Sequence, residues 1–166
     1  MENFLNNVYI TTIMSKIFLN EKDIEILNQL YHNSRTSIRK LADMLGMKPS
    51  SVFNRLKKLE KQGIIKRYTL ELDYNLIGRK VRAYVFIRYD PSSKRDQNEL
   101  SNEIIKIKDC ERVDIITGEW DLLVHVRTND IPSFSNIILN EIRKVKGVSH
   151  TLSVIILKSI TKPRLF

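Results

Sequence analysis

The chain has 166 residues, 42% of them hydrophobic, enough for one large domain or two small ones with their own cores and too apolar for a disordered chain. Its net charge of +9 is concentrated: between Arg35 and Arg67 ten cations stand against only Asp43 and Glu60, a local potential suited to a polyanion, although a soluble basic surface has the same composition. One cysteine, Cys110, excludes an internal disulfide and a thiolate metal cluster, and suits a reducing cytoplasm.

The opening stretch MENFLNNVYITTIMSK has no basic residue before its apolar part, is interrupted by Asn6 and Asn7, and lacks a small-residue cleavage site. It reads as an N-terminal extension, residues 1–18, and not as a secretion signal, with Met14 an alternative start to Met1. No apolar run approaches the ~20 residues of a membrane helix, so a soluble cytoplasmic protein without membrane contact is expected.

From Asn20 to His32 the residues Ile24, Ile26, Leu27, Leu30 and Tyr31 recur at helical spacing behind an Asn20 cap and the acidic Glu21 and Asp23. A second helix begins near Thr36 or Ser37, carries Ile38, Leu41, Ala42 and Leu45 on one face, and stops at Gly46. Pro49, the preferred residue type at a helix start, follows within three residues. Short helix, tight glycine-containing turn and longer helix make the helix-turn-helix pattern, here placed at residues 19–66.

On a wheel of the third helix Val52, Leu56 and Leu59 fall together, and Ser50, Asn54, Lys57 and Lys61 lie opposite, with Lys58 beside them and Arg55 and Phe53 on the flanks. Small and amide side chains come first, where such a helix approaches base edges, and lysines follow, where the strands run alongside. Asn can pair bidentately with adenine, and Ser can bond base edge or phosphate. Ser50, Ser51, Asn54, Arg55, Lys57, Lys58, Lys61, Arg39 and Lys48 are therefore the candidate contacts to double-stranded DNA. The bland alternative is a solvated face whose lysines serve solubility.

After Gly63, IIKRYTLELDYNLIG alternates well enough for one or two strands, like a wing. Residues 67–80 form a strand and linker, with NLIGRK the domain boundary. The remainder, residues 81–160, reads as strand (Arg82 to Tyr89), helix (Gln97 to Ile107), two strands (ERVDIIT, DLLVHVR) around the turn GEW, a helix after Pro132, and a last strand in VSHTLSVIILK, before a tail at 161–166. The order βαββαβ predicts a ferredoxin-like, α+β domain with both helices on one side of a four-stranded antiparallel sheet. Strand alternation assigns Val113, Ile115, Leu122, Val124, Val126, Leu152, Val154 and Ile156 to one face. It assigns Tyr84, Phe86, Ile116, Leu123 and Ile155, with Arg82, Arg88, His125 and Ser153, to the other. A second face this apolar, with no chain left to cover it, predicts sheet-on-sheet packing between two copies.

Chemistry-bearing residues are thin. His125 and His150 lack a third ligand at a recognisable spacing, Cys110 reads as a small buried hydrophobe, and no phosphate-cradling glycine loop is present. No enzyme, metal or cofactor is expected. The GEWD turn offers Gly118 for backbone freedom and Asp121 for capping neighbouring amides, while Trp120 suits an oligomer interface; none of this requires a ligand.

With LNEKDIEILNQL, RTSIRKLADMLGMKPSSVFNRLKKLEKQGIIKRY, GEWD and KGVSHTLSVIILK in place, the chain from about Leu19 to Lys158 resembles the Lrp/AsnC family, the feast/famine transcription regulators of bacteria and archaea. The resemblance implies a winged helix-turn-helix followed by a ligand-sensing and assembly module. It also implies a homodimer formed by the second domains, assembly into tetramers or octamers, and an amino acid or related metabolite as effector. Gly118 and Asp121 match the turn that lines that family's effector pocket, Trp120 stands where tyrosine is usual, and Ser153 where threonine is frequent; Arg67 replaces a frequent glycine. Three functions stay open on the residues: a sequence-specific regulator of a pseudo-palindromic operator, an amino-acid sensor without a DNA role, and an architectural binder without sequence choice.

Overall fold

The computed structural model describes residues 19–160; the expected N-terminal extension and C-terminal tail lie outside them. The chain divides into two compact units, with the division after Leu70, inside the expected linker.

In the first unit α1 (Glu21–His32) is closed at its start by a reciprocal capping box: Asn20 Oδ1 accepts from the Asp23 N–H at 2.9 Å, and the Asp23 carboxylate accepts from the Asn20 N–H. Two otherwise orphaned donors are thereby satisfied. Helix α2 (Ile38–Leu45) has Ser37 as N-cap and ends at Gly46, whose φ of 60° puts it in the left-handed region where a side chain is strained. Helix α3 (Pro49–Lys61) starts on Pro49. The three helices meet on Ile26, Leu30, Leu41, Ala42, Val52 and Leu56, which form one buried cluster, and Leu59 is buried too. The helix-turn-helix expected from the apolar spacing is thus formed.

The strands expected after Gly63 are not. Residues 62–80 carry no strand ladder, and Tyr68, Leu70 and Leu72 stand exposed, Leu70 at 73%. Alternation prepares a strand but does not supply its hydrogen-bonded neighbour, and a lone strand or hairpin gains too little to persist in water. The segment ends instead in a turn, where Asp73 Oδ1 accepts from the Asn75 N–H and Tyr74 O accepts from the Arg79 N–H.

The second unit is the expected ferredoxin-like one: β1 (Val81–Tyr89), α4 (Gln97–Ile104), β2 (Cys110–Ile115), β3 (Leu122–Thr128), α5 (Ile131–Asn136) and β4 (Val148–Ile155), with antiparallel sheet order β2-β3-β1-β4. Helix α5 starts on an Asp130 cap and continues as a widened turn over Ile137–Glu141 and a tight one over Ile142–Lys144. Ala83, Val85 and Ile87 pair with Val126, Val124 and Leu122 across β1 and β3. Leu100, Ile104, Phe134, Ile138 and Ile142 from the helices cover them in a single core.

The register corrects one expectation. Leu152 and Val154 oppose Phe86 and Tyr84 on the open face, whereas Ser153 and Ile155 oppose Val85 and Ala83 on the helix side. The phase of β4 was unreadable because VIIL is apolar at successive positions and both faces of an edge strand meet solvent, so alternation carries no signal there. The correction makes the open face more apolar: Leu152 and Val154, 47% and 43% exposed, join Tyr84, Phe86 and Leu123.

Candidate nucleic-acid interface and effector turn

Helix α3 presents the surface that its wheel predicts. Val52, Leu56 and Leu59 are buried, while Lys48, Ser50, Asn54, Lys57, Lys58 and Lys61 are exposed and Ser51 is half-buried. Arg39 on α2 is exposed as well. The burial follows from helical geometry: residues three and four apart share a face, so anchoring one stripe in the core turns the opposite stripe outward. Neutral side chains occupy the start of the helix and cations its end, where Lys58 and Lys61 also favour the helix dipole.

Two of the predicted contacts have partners within the chain. Arg55 Nη1 donates to Asp23 Oδ1 at 2.7 Å and to Asn20 Oδ1 at 3.0 Å, with Asp23 only 2% exposed. Its guanidinium thereby ties α3 to the capped start of α1, so Arg55 sets the pose of the helix. Lys57 Nζ lies 3.1 Å from Glu60 Oε2 and 5.9 Å from the centre of the Phe53 ring. The Tyr68 hydroxyl donates to Glu60 Oε1 at 3.0 Å. Lys57 and Tyr68 together hold the Glu60 carboxyl below its ordinary range, Lys57 contributing most; burial, then Glu60, raises Tyr68. The anchoring roles of Asn20, Asp23, Glu60 and Tyr68 escaped sequence reading. Asn20 and Asp23 carry the spacing of a capping box, but nothing local signals an ion pair 32 residues away.

In the second unit the GEWD turn closes the β2–β3 hairpin. Gly118 has φ 123°, and Asp121 O accepts from the Ile116 N–H at 2.8 Å. One Asp121 oxygen accepts from the Tyr89 N–H at 2.8 Å, beside the register shift at Arg88/Tyr89, and the other from the Gln97 side-chain amide at 3.1 Å. The carboxylate thus fastens the turn to the end of β1 and to the start of α4. Trp120 leans the other way: its ring centroid is 6.1 Å from that of Phe86, and the Arg88 guanidinium lies 5.3 Å from it while also bonding Glu119. Trp120 therefore extends the open apolar face. Ser153, on edge strand β4 opposite Val85, shares no hydrogen bond with the turn. The open face also carries His125, 3.0 Å from Asp114 and edge-on to Tyr84. Arg112 first, then His125, holds Asp114 below the usual carboxylate range.

At the other end of the sheet a groove is lined by Tyr74, Arg79, Arg82, Arg127, Ile156 and Lys158. Arg79 bonds Asp109 and Arg127 bonds Glu111 while stacking 3.6 Å from the Tyr74 ring centre, so its guanidinium groups are largely committed. Among the described residues no group of side chains is arranged to hold a metal, and no helix is long and apolar enough to cross a membrane.

A helix-turn-helix with an exposed cationic third helix, joined to a ferredoxin-like module, defines a two-domain DNA-binding transcription regulator. Residues 19–66 match the winged helix-turn-helix DNA-binding family and residues 82–166 the Lrp/AsnC ligand binding domain. The chain belongs to the Lrp/AsnC family of transcription regulators. It is 36% identical over 146 residues to the HTH-type transcriptional regulator LysM of Saccharolobus solfataricus, covering 88% of this chain and 99% of that one. It is 34% identical over 137 residues to an HTH-type transcriptional regulator of Pyrococcus abyssi, covering 82% and 91%. A transcriptional regulator of Neisseria meningitidis, solved as a complex with L-Met, superposes with a TM-score of 0.81 at 25% identity over 87% of this chain and 94% of that one. These relatives are transcription regulators, and so is this protein.

Proposed function

We propose that the protein is a sequence-specific regulator that acts in the cytoplasm as a homodimer and reads a pseudo-palindromic operator with two copies of α3. The exposed order Ser50, Asn54, Lys57, Lys61 on a helix whose opposite stripe is buried carries this reading, because a surface built only for charge has no need of an amide and a hydroxyl at the leading end. The uncovered apolar sheet face supports the dimer, with further assembly into tetramers or octamers by other surfaces. Two-fold symmetry then sets the recognition helices about 34 Å apart on one face of the duplex.

The second domain takes an amino acid or related metabolite as effector, with no other cofactor. Support comes from its match to a ligand binding domain and from the L-Met complex of the Neisseria regulator. Since both Asp121 oxygens already accept hydrogen bonds, Asp121 shapes the turn, and Gly118 and Trp120 offer the surface; Ser153, on the helix side of β4, stands on the other face of the sheet from Trp120. A matching amino acid at about tenfold its Kd stabilises the protein by roughly 1.4 kcal/mol, visible in a thermal-shift screen, and Asp121→Ala abolishes the response.

The DNA reading is tested by footprinting DNA upstream of the gene in excess nonspecific competitor at two salt concentrations. Protected segments repeat at about one helical turn. Asn54→Ala relaxes base preference by roughly 1–3 kcal/mol, while Lys61→Ala weakens all sequences alike and lowers the salt slope by about one. Uniform, salt-sensitive coating of every fragment overturns the proposal in favour of an architectural role.

A further inference from the structure

Phe53 is the one large apolar residue of α3 that the core does not bury. It is 46% exposed and stands outside the buried cluster, whereas Val52, Leu56 and Leu59 on the same helix are buried. It lies three residues after Ser50 and four before Lys57, so the three side chains share one ridge, and Asn54 is its immediate neighbour. The Lys57 ammonium, 5.9 Å from the ring centre, confirms that the ring borders the cationic surface. In the major groove each base pair shows donors and acceptors at its edge, and only thymine adds an apolar group, its C5-methyl, for which Phe is a suitable contact.

We infer that Phe53 is a specificity-determining residue that packs on a thymine methyl in each half-site, beside the base edge offered to Asn54. The inference rests on the operator-binding reading above and deepens it: the helix reads an apolar feature as well as hydrogen-bonding edges.

The test uses full-length protein and an operator obtained by selection from random duplexes, each thymine replaced in turn by deoxyuridine, which keeps the pairing and removes only the methyl. Losing one buried methyl weakens the wild type about fourfold, and losing it in both half-sites about 15-fold. F53A binds the parent operator about as weakly as the wild type binds the doubly substituted one, is indifferent to deoxyuridine, and retains wild-type binding to random DNA. F53L keeps part of the discrimination. If no single deoxyuridine weakens the wild type, or if F53A shows the same penalty, Phe53 does not read the methyl, although operator binding stands. Should selection enrich no sequence at all, the operator reading falls and this inference with it.

Discussion

Arg55 shows how a cation in a basic helix can serve the fold instead of the ligand. With Asp23 almost fully buried, deleting the guanidinium leaves a carboxylate oxygen without its 2.7 Å partner, which costs about 1–3 kcal/mol. Arg55→Ala therefore lowers the urea midpoint of the first domain's transition, and its DNA affinity recovers under conditions that restore the fold. Were Arg55 a phosphate contact alone, stability would stay unchanged and the salt slope would fall by about one. Cys110 is a second case in which surroundings decide chemistry. Burial, reinforced by Glu141 and Asp109, pushes its thiol up to about 12 from an ordinary 9.0. The reactive thiolate is then about a thousandfold scarcer than in an unfolded chain near pH 8. Labelling with a disulfide reagent is expected to be slow in native protein and immediate in denaturant; fast native labelling would show the thiol to be accessible and its thiolate populated.

Elements were legible in the sequence where periodicity met punctuation. Asn20, Ser37, Gly46 and Pro49 bound helices whose apolar stripes are unambiguous, so the helix-turn-helix and the exposed residues of α3 followed from spacing. The βαββαβ order followed for the same reason. Illegible were features that depend on a neighbour: the ladder missing from residues 62–80, the phase of β4, and the commitment of Asp121 to Tyr89 and Gln97. Glu60 belongs with these, since its partner Tyr68 lies beyond the end of α3. Its carboxyl titrates below the ordinary 4.5 because Lys57 and then Tyr68 favour the charged form. A depressed acid contributes stability that is complete above its unfolded value and disappears as pH falls through the folded one. Wild type is therefore expected to lose more stability than Glu60→Gln on acidification below 4.5, with the two converging once Glu60 is protonated in both states. Parallel acid limbs in urea titrations would mean that Lys57 and Tyr68 do not hold Glu60 in solution.

At the scale of the molecule, the operator reading proposed above makes affinity depend on assembly more than on any single contact. One copy of α3 spans half a site, and joining two copies makes the second engagement intramolecular, worth ~10²–10⁴ in affinity when the geometry fits. On that reading the sheet face offers the means: Leu152 opposes Phe86, Val154 opposes Tyr84, and Trp120 packs on Phe86, giving a largely apolar surface, interrupted by Arg88 and His125, with no covering element of its own among the described residues. Leu152→Glu places a carboxylate in its midst, where a copy of the same charge meets it across a two-fold axis and closing the interface desolvates both. The expected outcome is a particle of the chain mass, 19.5 kDa, in light scattering, against at least twice that for wild type. Helical circular dichroism stays unchanged, because Leu152 lies outside both cores. Leu139→Glu, a charge at an exposed apolar position on the helix side, is the control that leaves the dimer intact. Operator affinity should fall with the dimer in Leu152→Glu and survive in Leu139→Glu. A Leu152→Glu protein that keeps the wild-type mass would move the dimer interface away from the sheet, and with it the spacing that the two recognition helices present to DNA.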